Sequence, residues 1–374
     1  MNNKGLKVGI AGYGLVGRQR RVFIDNNPSM ETVAVCDVRF KSDAEMEDSV
    51  SVREDYEDLE KIACDKPFIG KMKDGVLYTD NYRLLLEELS LDVLFVCVPT
   101  YVAAEITIAG LKKGLHVFCE KPPACTLEEM KRIVDVEKKY PDLKLKYGFN
   151  HRYHDSVIEA KDIIDSGRYG ELMSLRGVYG KSRMIPLLGG WRSKRAYAGG
   201  GILLDQGIHM MDMIRYFSGE YEEVKSFVAN DFWKHDVEDN AYIIMRNKAG
   251  QVAMIHSTAT QWQHIFRLEL VLKGALLELS GIVTKSKSYG EEKLKVVPRI
   301  EGSYKGSHLG SVYSYLEDHS WGREVSEFAD LIIENKPVLN GNSLDALKVM
   351  ELIERVYAAD EQWAKKIYRQ CLHG

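Results

Sequence analysis

Two sets of residues have the types and spacing to do chemistry. In Gly199-Gly-Gly201-Ile-Leu-Leu-Asp205-Gln-Gly-Ile-His209-Met-Met-Asp212, spacings of four and three place Asp205, His209 and Asp212 on one helical face. A carboxylate one turn from an imidazole orients the ring and raises its basicity, which suits a group that accepts and returns a proton near neutral pH. A satisfied polar stripe on an amphipathic helix carries the same pattern. The triple glycine favours a site, because it lets a ligand approach closely. The second set is Glu120-Lys121-Pro122, just past the carboxyl end of a predicted parallel strand, where open α/β sheets bind ligands. A surface lysine in a loop is the plain alternative. A lysine fixed by the following proline at the edge of a crevice would point at whatever that crevice holds, and a cis Lys121-Pro122 bond is one way to fix it.

The elements that must position these residues begin at Lys7-Val-Gly-Ile-Ala-Gly12-Tyr13-Gly14-Leu15-Val16-Gly17-Arg18, an apolar strand running into G-x-G-x-x-G and then a helical pattern. Gly12 permits the tight turn, Gly14 lets the backbone approach a pyrophosphate, and Gly17 lets the helix pack close to the strand. The helix N-terminus adds unpaired amides and partial positive charge. A second strand, Thr32–Cys36, ends at Asp37, twenty residues past Gly17, where a carboxylate accepts from adenosine ribose hydroxyls. Strand, glycines, helix and acid together define a dinucleotide site. Asp37 argues for NAD, since it would repel a 2′-phosphate, while Arg18 and Arg39 leave NADP open. Arg18, Arg20 and Arg21 otherwise read as a solvated helix face, with only Arg18 near the phosphates.

At 374 residues and net charge −4, the chain is expected to form two domains and carries no basic field for a nucleic acid or an anionic membrane. No run approaches the ~20 apolar residues of a membrane span, and the first strand begins without an apolar leader, so a cytoplasmic location is expected. The six cysteines lack a C-x-x-C and read as small core residues. His151 with His154, and His235 with Asp236, Glu238 and Asp239, lack a zinc or calcium spacing; both groups read as solvated turn residues, and no metal is expected.

Along the first 149 residues strand and helix alternate. Asp92–Val98 reads as a parallel strand covered on both faces, Ala103–Lys113 as a helix, His116–Cys119 as a strand, Thr126 with Glu129 as a capping box opening a helix to Lys139, and Leu143–Phe149 as a strand. Residues 41–75 read as an insertion with a helix of its own. The fold class is α/β: a Rossmann doubly wound parallel sheet over 1–149, then 150–374 as an α/β domain with a large, mainly antiparallel open sheet. There a helix ends near Gly167, a strand runs Glu171–Tyr179, a glycine-rich loop spans Gly180–Gly201 and a helix spans Ile202–Phe217. Strands follow at Val224–Phe232, Asn240–Arg246, Gln251–Ala259, Phe266–Leu272 and Leu276–Leu279, then helices at Trp321–Asn335 and Ser343–Ala364, the last expected against the first domain. The sheet's uncovered face suggests a homodimer or homotetramer.

With these motifs in this order over essentially its whole length, the chain resembles the Gfo/Idh/MocA oxidoreductases. The resemblance implies a Lys-Asp-His set for pyridine-nucleotide redox chemistry, falling on Lys121, Asp205 and His209. Val98-Pro99-Thr100 and Glu120-Lys121-Pro122 are expected to line the cofactor, and Asn150, Arg152, Arg183, Trp191, Arg192, Asp205 and His209 the substrate. Family members often carry a histidine where this chain has Ala103, so contacts made by it do not transfer. The implied reaction is hydride transfer from a secondary alcohol to nicotinamide, with His209 or Lys121 as base, Lys121 on the reacting oxygen, and Asp205 orienting His209 or holding a neighbouring hydroxyl. Family substrates are sugars, cyclitols and nucleotide sugars. The cluster Arg183, Arg192, Lys194 and Arg195 favours a nucleotide sugar, holding a diphosphate or uronate, with loop solubility as the alternative. An NAD-using glycosidase with transient redox and a non-catalytic dinucleotide sensor are the competing classes.

Overall fold

The computed structural model describes residues 5–40, 71–182, 190–300 and 310–371. The helix expected in the 41–75 insertion falls on residues 41–70, outside the described residues. Two compact units form: among the described residues one takes 5–149, 190–199 and 321–348, the other 150–182, 200–320 and 349–371. The sequence had placed 190–199 and 321–348 with the second part of the chain.

In the first unit, strands β1 (Leu6–Ala11), β2 (Met30–Cys36), β3 (Lys71–Lys73), β4 (Val76–Thr79), β5 (Val93–Val96), β6 (His116–Cys119) and β7 (Leu145–Tyr147) lie in the order β3-β4-β2-β1-β5-β6-β7. All pairings are parallel except the β3–β4 hairpin, whose turn puts Asp74 and Gly75 both at positive φ, as a two-residue primed turn requires. Helices α1 (Leu15–Asp25), α2 (Tyr82–Glu88), α3 (Thr100–Lys112) and α4 (Leu127–Glu137) connect them. The Thr126–Glu129 capping box forms at α4 as the sequence predicts. Helix α3 starts three residues before the expected Ala103, because Pro99 holds an extended φ/ψ and Thr100 opens the first turn.

The second unit holds α5 (Asp155–Asp165), β8 (Leu172–Gly180), α6 (Ile208–Ser218), β9 (Tyr221–Ala229), β10 (Asn240–Asn247), β11 (Val252–Thr258), β12 (Ile265–Leu272), β13 (Ala275–Ser280), β14 (Glu292–Pro298) and β15 (Ser311–Tyr315). The sheet order is β15-β14-β13-β12-β8-β11-β10-β9, antiparallel except for the parallel β8–β11 pair. Strands β14 and β15 were not read from the sequence. On β10, Ala241, Ile243 and Met245 face inward while Tyr242, Ile244 and Arg246 face out. Helix α6 covers the inner face closely: a Cβ on Gly177 of β8 would come within 2.7 Å of Met210 Sδ.

The remaining helices are α7 (Ser320–Ile333), α8 (Ser343–Ala359) and α9 (Glu361–Cys371). The single helix expected from Ser343 to Ala364 breaks at Asp360, whose Oδ1 accepts from Gln362 and Trp363 N–H and whose Oδ2 accepts from Val228 N–H at 2.7 Å. Helix α7 enters the first unit's core: Val325, Phe328 and Ala329 pack with Val8, Ile10, Phe95 and Phe118, as does Ile24 of α1. No helix of the described residues is long and apolar enough to cross a membrane.

The glycine turn after β1 is the tightest point of the first unit. Gly12 sits at φ +88°, and a Cβ there would lie 2.3 Å from the Cys97 carbonyl oxygen; one on Gly17 would lie 2.0 Å from the Gly12 oxygen. Gly114 has a similar φ, +81°, with nothing within 4 Å. Gly12→Ala is therefore expected to cost more than ~2 kcal/mol and Gly114→Ala about 1 kcal/mol. Equal costs from urea midpoints would show that left-handed backbone alone, and not the close approach, requires Gly12.

Candidate functional site

In the first unit the site begins where β1 ends. Gly14 caps α1 with no side-chain hydrogen bond to its first-turn amides and no acidic residue in that turn. A Cβ on Gly14 would meet only Arg39, at 3.8 Å, so the backbone there is open for an approaching group. Open amides at a helix N-terminus beside a glycine cradle fit a pyrophosphate. Leu15 is exposed, and Arg18 Nε donates back to the Gly14 carbonyl at 3.4 Å.

Asp37 stands at the end of β2, buried, and both its oxygens already accept. Oδ2 takes the Tyr13 amide and Arg39 Nη2, each at 2.8 Å, and Oδ1 takes Arg39 N at 3.1 Å and Nε at 2.7 Å. The carboxylate thus pins the glycine loop through Tyr13 while a forked guanidinium covers it. A ribose hydroxyl bound at Asp37 would share the carboxylate with Arg39.

Arg20 corrects the reading of a solvated arginine face. It is 0% exposed, donating from Nε to Glu120 Oε1 and from Nη2 to Glu324 Oε2, both at 2.7 Å, with its guanidinium over the Phe118 and Trp321 rings at 4.5 and 4.2 Å. Burial pulls its titration down, but Glu120 and Glu324 outweigh it and raise the pKa. Burial pushes the Glu324 carboxyl up to about 7 against the pull of Arg20. Arg21 binds the Tyr13 and Tyr78 hydroxyls and Asp25. The Arg20 clamp fixes Glu120, the residue before Lys121. Lys121 is partly buried and its bond to Pro122 is cis.

Val98, Pro99 and Thr100 lie where β5 gives way to α3. Trp191 and Arg192 also belong to the first unit. Trp191 is buried against Tyr101 with the Arg192 guanidinium 4.4 Å over its ring; Lys194 lies over Tyr197, and Arg195 donates to the Gly199 carbonyl. Arg183 lies outside the described residues.

In the second unit the expected Ile202–Phe217 helix opens with a π turn at Leu203–Gly207 before α6. Such turns recur at functional sites and break simple four-residue spacing. Asp212 has its partner outside this helix. It forms a buried bidentate pair with Arg152 at 2.6 and 2.8 Å, and Arg152 also lies over Tyr216, which gives that arginine an internal anchoring role. The neighbour of His209 is His151: the two buried rings stack with centroids 3.8 Å apart and planes 14° apart. His151 pairs through Nε2 with Tyr179 Oη at 3.0 Å and through Nδ1 with Asn150 Oδ1 at 3.2 Å, while Asn150 Nδ2 donates to Ser320 Oγ. Asp205 Oδ2 meets Lys181 Nζ at 3.4 Å, and the Tyr289 hydroxyl donates to Gln206 Oε1 at 3.2 Å. Burial raises the Tyr179 and Tyr289 phenols, and the Asp205 charge adds to both shifts. The result is a compact set of proton-bearing groups at the β8 C-terminal end.

His151, Tyr179, Lys181 and Tyr289 escaped the sequence reading as site residues. Lys181 and Tyr179 flank the end of a recognised strand; Tyr289 has no local signal. The triple glycine also has a different cause from ligand approach. A Cβ on Gly199 would lie 2.2 Å from the Cys125 carbonyl oxygen, and one on Gly201 would lie 2.0 Å from that of Glu238. Of the residues read as solvated turns, His151, His154, Glu238 and Asp239 are buried: His154 pairs with Glu292 at 2.7 Å, Glu238 accepts from Gly201 and Leu203 N–H, and Asp239 accepts from three amides. Among the described residues no cluster of three or more His, Cys, Asp or Glu is placed to hold a metal.

Residues 6–149 match the family model of an oxidoreductase family with an NAD-binding Rossmann fold, and residues 157–277 match the GFO/IDH/MocA C-terminal domain. The chain belongs to the Gfo/Idh/MocA family, and its first domain is the NAD-binding Rossmann domain. It is 34% identical over 155 residues to levoglucosan dehydrogenase of Pseudarthrobacter phenanthrenivorans, covering 40% of this chain and 39% of that protein. It is 28% identical over 258 residues to myo-inositol 2-dehydrogenase of Thermotoga maritima, 68% of either chain. To 1,5-anhydro-D-fructose reductase of Ensifer adhaerens it is 30% identical over 247 residues, 63% of this chain and 72% of the other. The chain therefore spans between 39% and 72% of the lengths of these curated relatives. A solved levoglucosan dehydrogenase in complex with NADH is similar with a TM-score of 0.76 at 19% identity, over 96% of this chain and 98% of that one.

The Asp37–Arg39 pair makes cofactor choice testable. Replacing the carboxylate in Asp37→Ser removes repulsion of a 2′-phosphate and leaves Arg39 to face it, so the ratio of kcat/KM for NADP over NAD is expected to rise at least ~10-fold. An unchanged ratio would take Asp37 out of cofactor selection.

Proposed function

We propose that this protein is an NAD(P)-dependent oxidoreductase acting on a secondary hydroxyl of a sugar or cyclitol. The carrying observation is the buried His209 imidazole stacked on His151 beside the Asp205–Lys181 pair, in a chain whose other unit is an NAD-binding Rossmann domain. Bound nicotinamide supplies the hydride acceptor. His209 takes the hydroxyl proton, and its stack on His151, itself tied to Tyr179 and Asn150, fixes the ring plane. Lys121 stabilises developing charge on the reacting oxygen, with Glu120 held by Arg20 immediately before it. Asp205 holds a neighbouring hydroxyl of the polyol, its partner Lys181 being close enough to donate to the same group.

A neutral polyol ring suits this chain better than a nucleotide sugar. Of the basic residues that favour a diphosphate, Arg192 and Lys194 lie over aromatic rings and Arg195 donates to a carbonyl. The three curated relatives named above take their names from levoglucosan, inositol and anhydrofructose, none of them nucleotide-linked.

The outer face of the second-unit sheet supports self-association. Phe227, Tyr242, Ile244 and Met254 are exposed on adjacent strands, with Phe227 opposite Tyr242 and Ile244 opposite Met254. A second copy of the chain covers this patch in the proposal.

His209→Ala is expected to lower kcat by at least ~10²-fold, with NAD affinity unchanged by fluorescence titration; turnover at the wild-type rate would remove His209 from proton transfer. Ile244→Glu is expected to lower the mass seen in sedimentation velocity. A wild type that runs as a monomer at micromolar concentration contradicts the self-association.

A further inference from the structure

One feature of the second unit has no part in the reaction as assigned above. The loops 230–239 and 259–264 each present a large exposed aromatic, Phe232 (57% exposed) and Trp262 (59%), whose rings meet edge to face at 4.8 Å. Trp262 sits at φ +58°. That region is costly for a bulky residue and persists only where the surroundings impose it. Burial does not compensate, since most of the indole faces water.

Hydrogen bonds tie down the chain on either side of the pair. The Asp239 carboxylate accepts the amides of Asp231, Phe232 and Trp233 at 3.0, 2.9 and 3.1 Å, fixing the first loop. The Trp233 indole donates to the Ala259 carbonyl at 2.9 Å and Asn240 Nδ2 donates to Thr260 Oγ1 at 3.0 Å, tying the first loop to the second. Trp233 also stands 6.4 Å from Trp262, behind the exposed pair. Two rigid loops therefore hold one aromatic platform open to solvent, with the polar side chains of Asp231, Lys234, Gln261 and Gln263 on the same loops.

The loop that carries Trp262 runs on into the reacting site. Two residues beyond Trp262, the His264 ring lies 4.9 Å from Tyr289, edge to face. Tyr289 binds Gln206 and lies 5.5 Å from Tyr179, which binds His151, the ring stacked on His209. A run of aromatic rings thus leads from the buried imidazole to His264, two residues along the chain from the exposed indole.

We propose that Phe232 and Trp262 form a second saccharide subsite, so that the substrate is a glycoside or oligosaccharide whose further ring stacks on Trp262 while the first ring is oxidised at His209. This rests on the function proposed above and names its substrate class. A pyranose has an apolar C–H face that an indole covers and a rim of hydroxyls that glutamine, aspartate and lysine can bond. With 59% of Trp262 exposed, indole surface is left open to the sugar.

The test compares glucose with cellobiose and maltose in the wild type, Trp262→Ala and Trp262→Phe, by steady-state kinetics and by saturation-transfer difference NMR on the holoenzyme. The wild type is expected to prefer a disaccharide by about 10-fold in kcat/KM. Trp262→Ala should raise its KM about 10-fold, a ~1.4 kcal/mol loss of binding, with kcat within about twofold and glucose kinetics unchanged; Trp262→Phe should restore most of the affinity. Equal effects on glucose and disaccharide, or none, overturn the subsite. If no sugar or cyclitol is oxidised, the reaction assignment fails on its own, and the NMR still decides the platform: disaccharide signals lost in Trp262→Ala support it, and signals retained or never present overturn it. A variant that loses self-association while keeping disaccharide signals makes the platform a subunit contact instead.

Discussion

The second unit's site depends on one buried carboxylate. Glu238, fully enclosed, accepts the amides of Gly201 at 2.8 Å and Leu203 at 3.0 Å and the Tyr357 hydroxyl at 2.8 Å. These amides belong to the entry of the π turn, where no helical carbonyl precedes them, so the carboxylate supplies acceptors that the backbone lacks. The close fit of Gly201 against the Glu238 backbone leaves no room for a side chain. Removing the carboxylate would strand two buried N–H groups, at roughly 1–3 kcal/mol each. With the turn fixed there, Asp205 is set toward Lys181 and His209 onto His151.

The first unit solves the same problem with charge. Arg20 fills the space between Glu120 and Glu324, and the aromatic faces of Phe118 and Trp321 enclose it, so the residue before Lys121 is held by a paired, largely water-free guanidinium. A pair of this kind gives little net stability against an apolar replacement, but it defines one geometry. At the other end of the sheet the Asp37 carboxylate fixes the glycine loop through the Tyr13 amide. The glycine loop and the π turn are each held by a carboxylate from elsewhere in the same unit, and the Lys121 loop by a guanidinium.

Much of this was legible in the sequence where the physics is local. The glycine turn, the continuous apolar strands, the Thr126 capping box and the Asp37 position all follow from periodicity and backbone sterics within a few residues. What escaped was long-range or depended on a change of period. Three arginines in four residues look solvated until Glu120 and Glu324, 100 and 304 positions from Arg20, close on the middle one. Strand β14 alternates buried Leu294 and Val296 with Lys293 and Lys295, a period-two pattern that was there to be read, whereas β15 has no buried face to announce it. The π turn shifts Asp205 out of the register on which a one-face reading with His209 rests, while Asp212, in regular helix three residues past His209, pairs with Arg152. His151 became a site residue only through its stacking on His209, which no spacing between 151 and 209 announces.

Direct hydride transfer is the claim on which the functional account stands. It is tested by letting the holoenzyme turn over a glucoside deuterated at its ring carbons and analysing the reduced nicotinamide by NMR. The account predicts deuterium at nicotinamide C4, delivered from the oxidised carbon without loss to water. Substrate consumed with no label in the nicotinamide, or with the label washed into solvent, would contradict it.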